Sequence, residues 1–95
     1  MYKIEEIKTA VNNIAGMFPL KQVILVGSYA KEAATPDSDI DLVVDGDDLS
    51  DVYWDFLFKL EDTFDAKVDL LTLRGLRNSC IKKDVLEGGI VLYEA

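Results

Sequence analysis

The chain has 95 residues, a mass of 10.6 kDa and a net charge of −8, from 10 basic and 18 acidic residues. A chain of this length accommodates one small domain, so residues 1–95 are expected to form a single domain. Histidine is absent and Cys80 is the only cysteine, which excludes histidine-dependent nucleophilic catalysis, histidine-ligated zinc and an internal disulfide. Any bound metal is therefore expected to have oxygen ligands, as Mg²⁺, Mn²⁺ and Ca²⁺ do.

The acidic balance also bears on partners and location. Non-specific binding to nucleic acid depends on Lys and Arg, so a long DNA or RNA partner is not expected. No apolar run approaches the ~18 residues of a membrane span, and Met1–Glu6 lacks the pattern of a secretory signal. The expected location is the cytoplasm, without membrane contact. The sequence leaves homo-oligomer formation open.

The first half of the chain alternates helix and strand patterns. The β-branched run over residues 23–26 predicts a buried strand. Gly27 and Ser28 end that strand, and Ser28 is predicted to cap a short helix over residues 29–34. A helix over roughly residues 2–18 is predicted from apolar residues at steps of three and four: Ile4, Ile7, Val11, Ile14 and Phe18.

The second half continues the alternation. The patterns predict a strand over 39–44, a helix over 51–64, a strand over 67–71, a helix over 76–87 and a strand over 90–93. Helices that alternate with about four strands indicate an α/β or α+β protein with one sheet.

Seven aspartates lie over residues 37–51, and most of them fit a solvated acidic loop. Asp39 and Asp41 differ because they lie within the predicted strand, where aspartate is disfavoured. Side chains two residues apart on a strand share a face, with Cα atoms about 6.6 Å apart. The alternation therefore places the apolar residues on the core face and both carboxylates on the other, where their repulsion favours a bound cation. A local departure of this kind predicts a functional site.

Asp69 repeats the pattern in the strand over 67–71. If that strand pairs beside the one with Asp39 and Asp41, three carboxylates meet on one face of the sheet. Three carboxylates suit two Mg²⁺ ions, or Mn²⁺, about 3.5–4 Å apart, which would bridge phosphate oxygens and activate an attacking hydroxyl. An edge-strand carboxylate paired with Lys67 is the alternative interpretation of Asp69.

Gly27 and Ser28 are predicted to form the phosphate end of this site. Glycine at the end of a buried strand allows the backbone to approach a ligand closely, and the following helix would present unpaired N–H groups to an anion. Taken alone, this turn is common. It becomes informative together with Asp39 and Asp41, which follow after ten residues.

The motif Gly27-Ser28, ten residues, Asp39-x-Asp41 resembles the signature of the DNA polymerase β-like nucleotidyltransferase superfamily. The segment Gly-Ser-Tyr-Ala-Lys-Glu-Ala-Ala-Thr-Pro-Asp-Ser-Asp-Ile-Asp-Leu, residues 27–42, is similar to its minimal nucleotidyltransferase branch. By this resemblance, Gly27 and Ser28 would hold the triphosphate of the nucleotide.

Two later positions extend the resemblance over most of the chain. The third carboxylate of the family falls at Asp69, and the ending Glu-Gly-Gly-Ile-Val-Leu-Tyr-Glu, residues 87–94, is similar to the way these small proteins end. The resemblance implies a polymerase β-like fold, in which helices pack on a mixed sheet of about four strands. It also implies that Asp39, Asp41 and Asp69 bind the metal ions and are catalytic.

The resemblance further implies an activity and a partner. The activity is transfer of a nucleoside monophosphate, usually AMP from ATP, to an acceptor hydroxyl. Minimal members commonly act as antitoxins beside a small helical HEPN ribonuclease toxin, which they adenylylate on tyrosine. The expected partners are therefore ATP or another nucleoside triphosphate and a HEPN-type protein.

The aspartate cluster and the helix over 51–64 each allow another interpretation. A calcium-binding EF-hand loop is rejected because Leu42 stands where that loop requires glycine. The alternative that stays open is a catalytically inactive binding module that neutralises its partner by association alone. Apolar side chains cover about 240° of the predicted helix over 51–64, whereas a core-facing helix needs little more than ~100°. Trp54 and Phe58, at the margin of that arc, either anchor another chain or lie sandwiched inside the fold.

Overall fold

The computed structural model describes residues 2–47, 49–76 and 87–95. The elements are α1 (Ile4–Ala15), β1 (Leu20–Val26), α2 (Gly27–Ala30), β2 (Ile40–Gly46), a 3₁₀ turn (Leu49–Asp51), α3 (Tyr53–Phe64), β3 (Val68–Thr72), α4 (Leu73–Leu76) and β4 (Ile90–Glu94). The predicted helix over 76–87 lies almost entirely outside the described residues. Each of the other predicted elements is present, with its ends shifted by a few residues.

The four strands form one mixed sheet in the order β3-β2-β1-β4. β1 is antiparallel to both β2 and β4, while β2 and β3 are parallel. The parallel pair follows from its connection, because α3 carries the chain back to the start of the sheet before β3 begins. The prediction of about four strands in one sheet is confirmed.

The two faces of the sheet have different environments. The main core lies on the face covered by α1 and α3, where every second residue of β2 is fully buried. The opposite face carries a small apolar cluster of Val26 and Val43, with Ile24 and Leu73 packed against it. The main core contains, among others, Ile7, Val11, Leu25, Ile40, Leu42, Val44, Phe56, Leu60, Leu70 and Leu92. By strand alternation, Asp41 and Asp69 also lie on the opposite face.

One hydrogen bond stabilises the start of α1, and another holds α3 against the sheet. At the start of α1 the backbone N–H of Lys3 donates to Glu6 Oε1 at 2.9 Å, which satisfies one free donor of the first turn. The Tyr53 hydroxyl, at the start of α3, donates to the Leu70 carbonyl oxygen on β3 at 2.5 Å. This bond fixes α3 beside the outer edge of β3.

In the ranges described above, no helix is both long enough and apolar enough to cross a membrane.

The structure corrects the predicted cap of α2. The helix begins at Gly27, with Val26 as the flanking residue, so Ser28 lies inside the first turn and does not cap it. Gly27 has a φ of +74°, and this turn carries the chain from β1 directly into the helix. No linking residue remains for a serine cap.

Candidate active site

Asp41 and Asp69 lie directly opposite each other on neighbouring strands. They are partners in the parallel register of β2 and β3, so their side chains leave the same face of the sheet. The two carboxyl groups are close enough for Asp69 to raise the pKa of Asp41. The predicted pairing of the two strands is therefore present and brings these two acids together.

Asp39 lies one residue before β2, not inside it as predicted, because the strand begins at Ile40. Its carboxylate is linked to that of Asp69 through Lys67. The Lys67 ammonium lies 3.8 Å from Asp39 Oδ2 and 4.0 Å from Asp69 Oδ1. Both interpretations of Asp69 thus hold in part, because it pairs with Lys67 at the edge of the sheet and also faces Asp41.

The crowding of acids changes the protonation of Asp41. The pKa of Asp41 is raised from an ordinary value of 3.8 to about 6, mainly by partial burial and next by the hydrogen bond and negative charge of Asp69. The charge of Asp39 acts in the same direction, while the Lys67 ammonium opposes the shift. Added positive charge would relieve this repulsion, as expected of a cation site.

Gly27 lies against the Asp41 carboxylate. Val26, the residue before it, pairs in register with Asp41, so the end of β1 passes beside the acid. A Cβ at Gly27 would overlap Asp41 Oδ2 and lie 3.1 Å from its Cγ. The structure gives Gly27 a close neighbour within the site, the side chain of Asp41, and the approach of a ligand to this glycine stays a prediction.

A cleft of about 620 Å³ opens at the outer edge of β3. It reaches both sides of the strand, because Asp41 and Asp69 leave one face of the sheet while Val68 and Leu70 leave the other. The cleft is lined by Val26, Gly27, Lys31, Asp41, Tyr53, Trp54, Leu57, Val68, Asp69, Leu70 and Leu71. Ser28, half-buried in α2, is not among these residues. The cleft combines a carboxylate floor with an apolar wall.

The side chains of the site offer the ligand type that a divalent cation needs. Asp39, Asp41 and Asp69 offer oxygen ligands, which hard cations such as Mg²⁺ prefer. The Lys67 ammonium already provides positive charge to two of them, as a bound cation would. In the described parts of the chain, however, no three His, Cys, Asp or Glu residues stand close enough to form a metal site as they are. The ligand chemistry fits Mg²⁺, and occupancy would require the side chains to close around the ion.

The exposed face of α3 answers the question left open for Trp54 and Phe58. Each side chain is 60% exposed, and their ring centroids are 6.1 Å apart. The interpretation that places both inside the fold is therefore wrong. Trp54 also lines the cleft, beside Tyr53.

Sequence reasoning gave Lys67 one partner and assigned no role to Tyr53. Lys67 lies two residues before Asp69, so strand alternation alone could have placed its ammonium on the face of the carboxylates. Tyr53 has no comparable signal, because its position in the wall depends on how α3 packs against β3.

The chain matches the polymerase beta nucleotidyltransferase family over residues 5–95 and belongs to that family. This match confirms the resemblance, the fold class and the prediction of an enzyme. Among curated proteins, a Methanocaldococcus jannaschii protein named as a protein adenylyltransferase is 34% identical over 74 residues, which cover 74% of each chain.

Solved structures of toxin–antitoxin complexes have the same fold. One, a complex with AMP-PNP, is 25% identical with a TM-score of 0.76, over 93% of this chain and 73% of the other. Another contains a tri-AMPylated Shewanella oneidensis HEPN toxin with an MNT antitoxin. It is 24% identical with a TM-score of 0.71, over 96% of this chain and 72% of the other.

Proposed function

We propose that this chain transfers AMP from ATP to a hydroxyl group on a HEPN-type partner protein and so acts as an antitoxin. The observation that carries the proposal is the register pairing of Asp41 with Asp69, with Gly27 against the carboxylate of Asp41. In a chain of the polymerase beta nucleotidyltransferase family, this arrangement supports a catalytic site in the adjoining cleft.

The proposed reaction is a displacement at the α-phosphorus of ATP. The acceptor oxygen forms a bond to the α-phosphorus, and the bond from that phosphorus to the oxygen bridging the α- and β-phosphates breaks. Pyrophosphate leaves, and the acceptor becomes an AMP ester. Asp69 accepts the proton of the hydroxyl group, since its carboxylate lies at the edge of the cleft beside the Asp41 carboxyl group.

The remaining residues of the site bind and orient the nucleotide. Gly27 and Ser28, where β1 turns into α2, are proposed to hold the triphosphate, and Lys31 borders the same cleft. Asp39, Asp41 and Asp69 are proposed to hold Mg²⁺, which would supply positive charge to the phosphates and lower the pKa of the acceptor hydroxyl.

The partner is proposed from the relatives. The M. jannaschii protein is named as a protein adenylyltransferase. A solved neighbour is a toxin–antitoxin complex with an ATP analogue, and another contains an AMPylated HEPN toxin. A protein acceptor also agrees with a net charge of −8, which disfavours a long nucleic acid.

The test is label transfer from α-³²P-ATP with Mg²⁺ to a purified HEPN-type protein. The native chain should label the partner, and the Asp39→Asn/Asp41→Asn variant should not. The matched control is Asp45→Asn/Asp47→Asn, which removes the same charge from the other end of β2. Asp45 pairs in register with Gln22, and Asp47 forms an exposed ion pair with Lys21 at 3.3 Å. The control should label the partner at the native rate.

The outcome separates the enzyme from the binding module. If the Asp39→Asn/Asp41→Asn variant protects cells from the partner as well as the native chain does, catalysis is not how the chain neutralises it. Equal label transfer by that variant and by the control would place the active site elsewhere.

A further inference from the structure

An apolar band runs from the cleft along the exposed side of α3. It consists of Trp54, Phe58 and Met17, which are 60%, 60% and 66% exposed, together with Leu71, which is 42% exposed and lies across the cleft on the sheet face that carries Asp69. Leu71 and Trp54 line the cleft, while Phe58 and Met17 line a second hollow beside it. The contact between the Trp54 and Phe58 rings joins the two hollows.

The band collects most of the exposed large apolar side chains in the described ranges. Val91, on β4 at the opposite edge of the sheet, is the other such residue. Scattered exposed apolar residues are normal on a soluble protein, but residues gathered around adjoining hollows mark an interaction surface. Trp is also among the residue types that most often dominate binding energy at interfaces.

We infer that the apolar band is the surface on which the acceptor protein docks. This inference rests on the proposed function, since it assumes that the acceptor hydroxyl belongs to a protein. The band begins inside the cleft that holds Asp41 and Asp69. A protein bound on Trp54 and Phe58 would therefore hold one of its own segments near the carboxylates, because Trp54 lines the same cleft as they do.

The charges around the band specify the chemistry of the partner. Acidic residues Asp55 and Asp62 border the second hollow, and Asp51 lies just before α3, with Lys59 as the basic residue among them. An acidic rim around an apolar centre fits a partner with apolar side chains flanked by Lys or Arg. A second copy of this chain fits poorly, because each copy carries a net charge of −8.

Phe58 gives the sharpest test, because it is not among the residues that line the cleft and adjoins it through the ring of Trp54. The experiment measures the Kd of a purified HEPN-type protein, by calorimetry, for the native chain and for Phe58→Ala, Trp54→Ala and Val91→Ala. Phe58→Ala and Trp54→Ala should each raise the Kd about 30-fold, which is about 2 kcal/mol at 1.4 kcal/mol per factor of ten. Val91→Ala, the matched control at the other sheet edge, should stay within about twofold. The rise in melting temperature with Mg²⁺ and ATP should be unchanged in Phe58→Ala.

Several results would overturn the inference. One is a Kd in Phe58→Ala and Trp54→Ala equal to that of the native chain, and another is a loss of affinity in Val91→Ala as large as theirs. The others are absence of binding by the native chain, or sedimentation that shows a dimer of the native chain which Phe58→Ala dissociates.

The same measurements separate docking from catalysis. If binding depends on Phe58 but no label is transferred, the docking surface stands and the proposed function fails. If Phe58→Ala labels a limiting amount of partner at the native rate, docking fails and the function stands.

Discussion

Gly27 and Gly88 form a natural pair for measuring how tightly the site is built. Their φ angles are +74° and +73°, so alanine at either position pays the same backbone cost, about 1–2 kcal/mol. A Cβ at Gly88 would have no neighbour within 4 Å, whereas a Cβ at Gly27 would overlap the Asp41 carboxylate. Overpacking adds about 1–3 kcal/mol. Gly27→Ala should therefore be less stable than Gly88→Ala by about 2 kcal/mol.

The assay is thermal and urea unfolding of both variants without metal or nucleotide. For a domain of this size, about 2 kcal/mol corresponds to a melting temperature lower by about 10 °C. The cost of the contact between the new methyl group and Asp41 is measured by combining Asp41→Ala with Gly27→Ala, because the double variant lacks the carboxylate that the methyl group meets. The double variant should recover most of the difference, so the two changes should be strongly non-additive. Equal stabilities of Gly27→Ala and Gly88→Ala, or additivity with Asp41→Ala, would refute the contact.

Two further predictions concern the charges of the site. Because the pKa of Asp41 is raised to about 6, the folded chain binds more protons than the unfolded chain between about pH 4 and 6, so its stability falls as the pH rises through that range. Asp41→Asn should match the native chain near pH 4 and melt higher at pH 7.5; the full shift corresponds to about 3 kcal/mol, which solvent screening of this partly exposed group reduces to about 1 kcal/mol. Asp45→Asn on the same strand is the control, and a gap that narrows with rising pH would contradict the assignment. Lys67→Gln should raise the pKa of Asp41 above its native value, measured by ¹³C NMR of the carboxyl carbon, with a stability loss of at most about 1 kcal/mol for these exposed ion pairs. An unchanged pKa would show that Lys67 does not act on Asp41, and a lowered pKa would contradict the expected sign of its effect.

Strand periodicity was sufficient to predict much of the site. The alternation of acidic and apolar residues placed Asp41 and Asp69 on the polar face, and the parallel register of β2 and β3 confirms that placement. This worked because a strand fixes the face of each side chain within its own sequence. The same rule worked less well for Asp39, because the strand begins one residue later than its pattern indicated.

Features that depend on packing could not be read from periodicity. The exposure of Trp54 and Phe58 depends on the angle at which α3 lies on the sheet, and the Tyr53 hydroxyl at the Leu70 carbonyl helps to fix that position. Likewise, the role of Gly27 depends on the register of β1 and β2, which brings Asp41 beside the end of β1. Sequence alone indicated a turn there and could not name the side chain that fills the space.

The charge of the chain has opposite consequences for its two ligands. ATP is an anion, so it meets repulsion from the carboxylates of the cleft unless a cation lies between them, and Lys31 and Lys67 offset only part of that charge. A protein partner with a basic rim meets attraction from Asp55 and Asp62 on α3. Raising the ionic strength should therefore weaken capture of the partner, while its apolar contacts with Trp54 and Phe58 persist. Recognition of the acceptor and retention of the nucleotide thus depend on different forces, although both surfaces share the wall of one cleft.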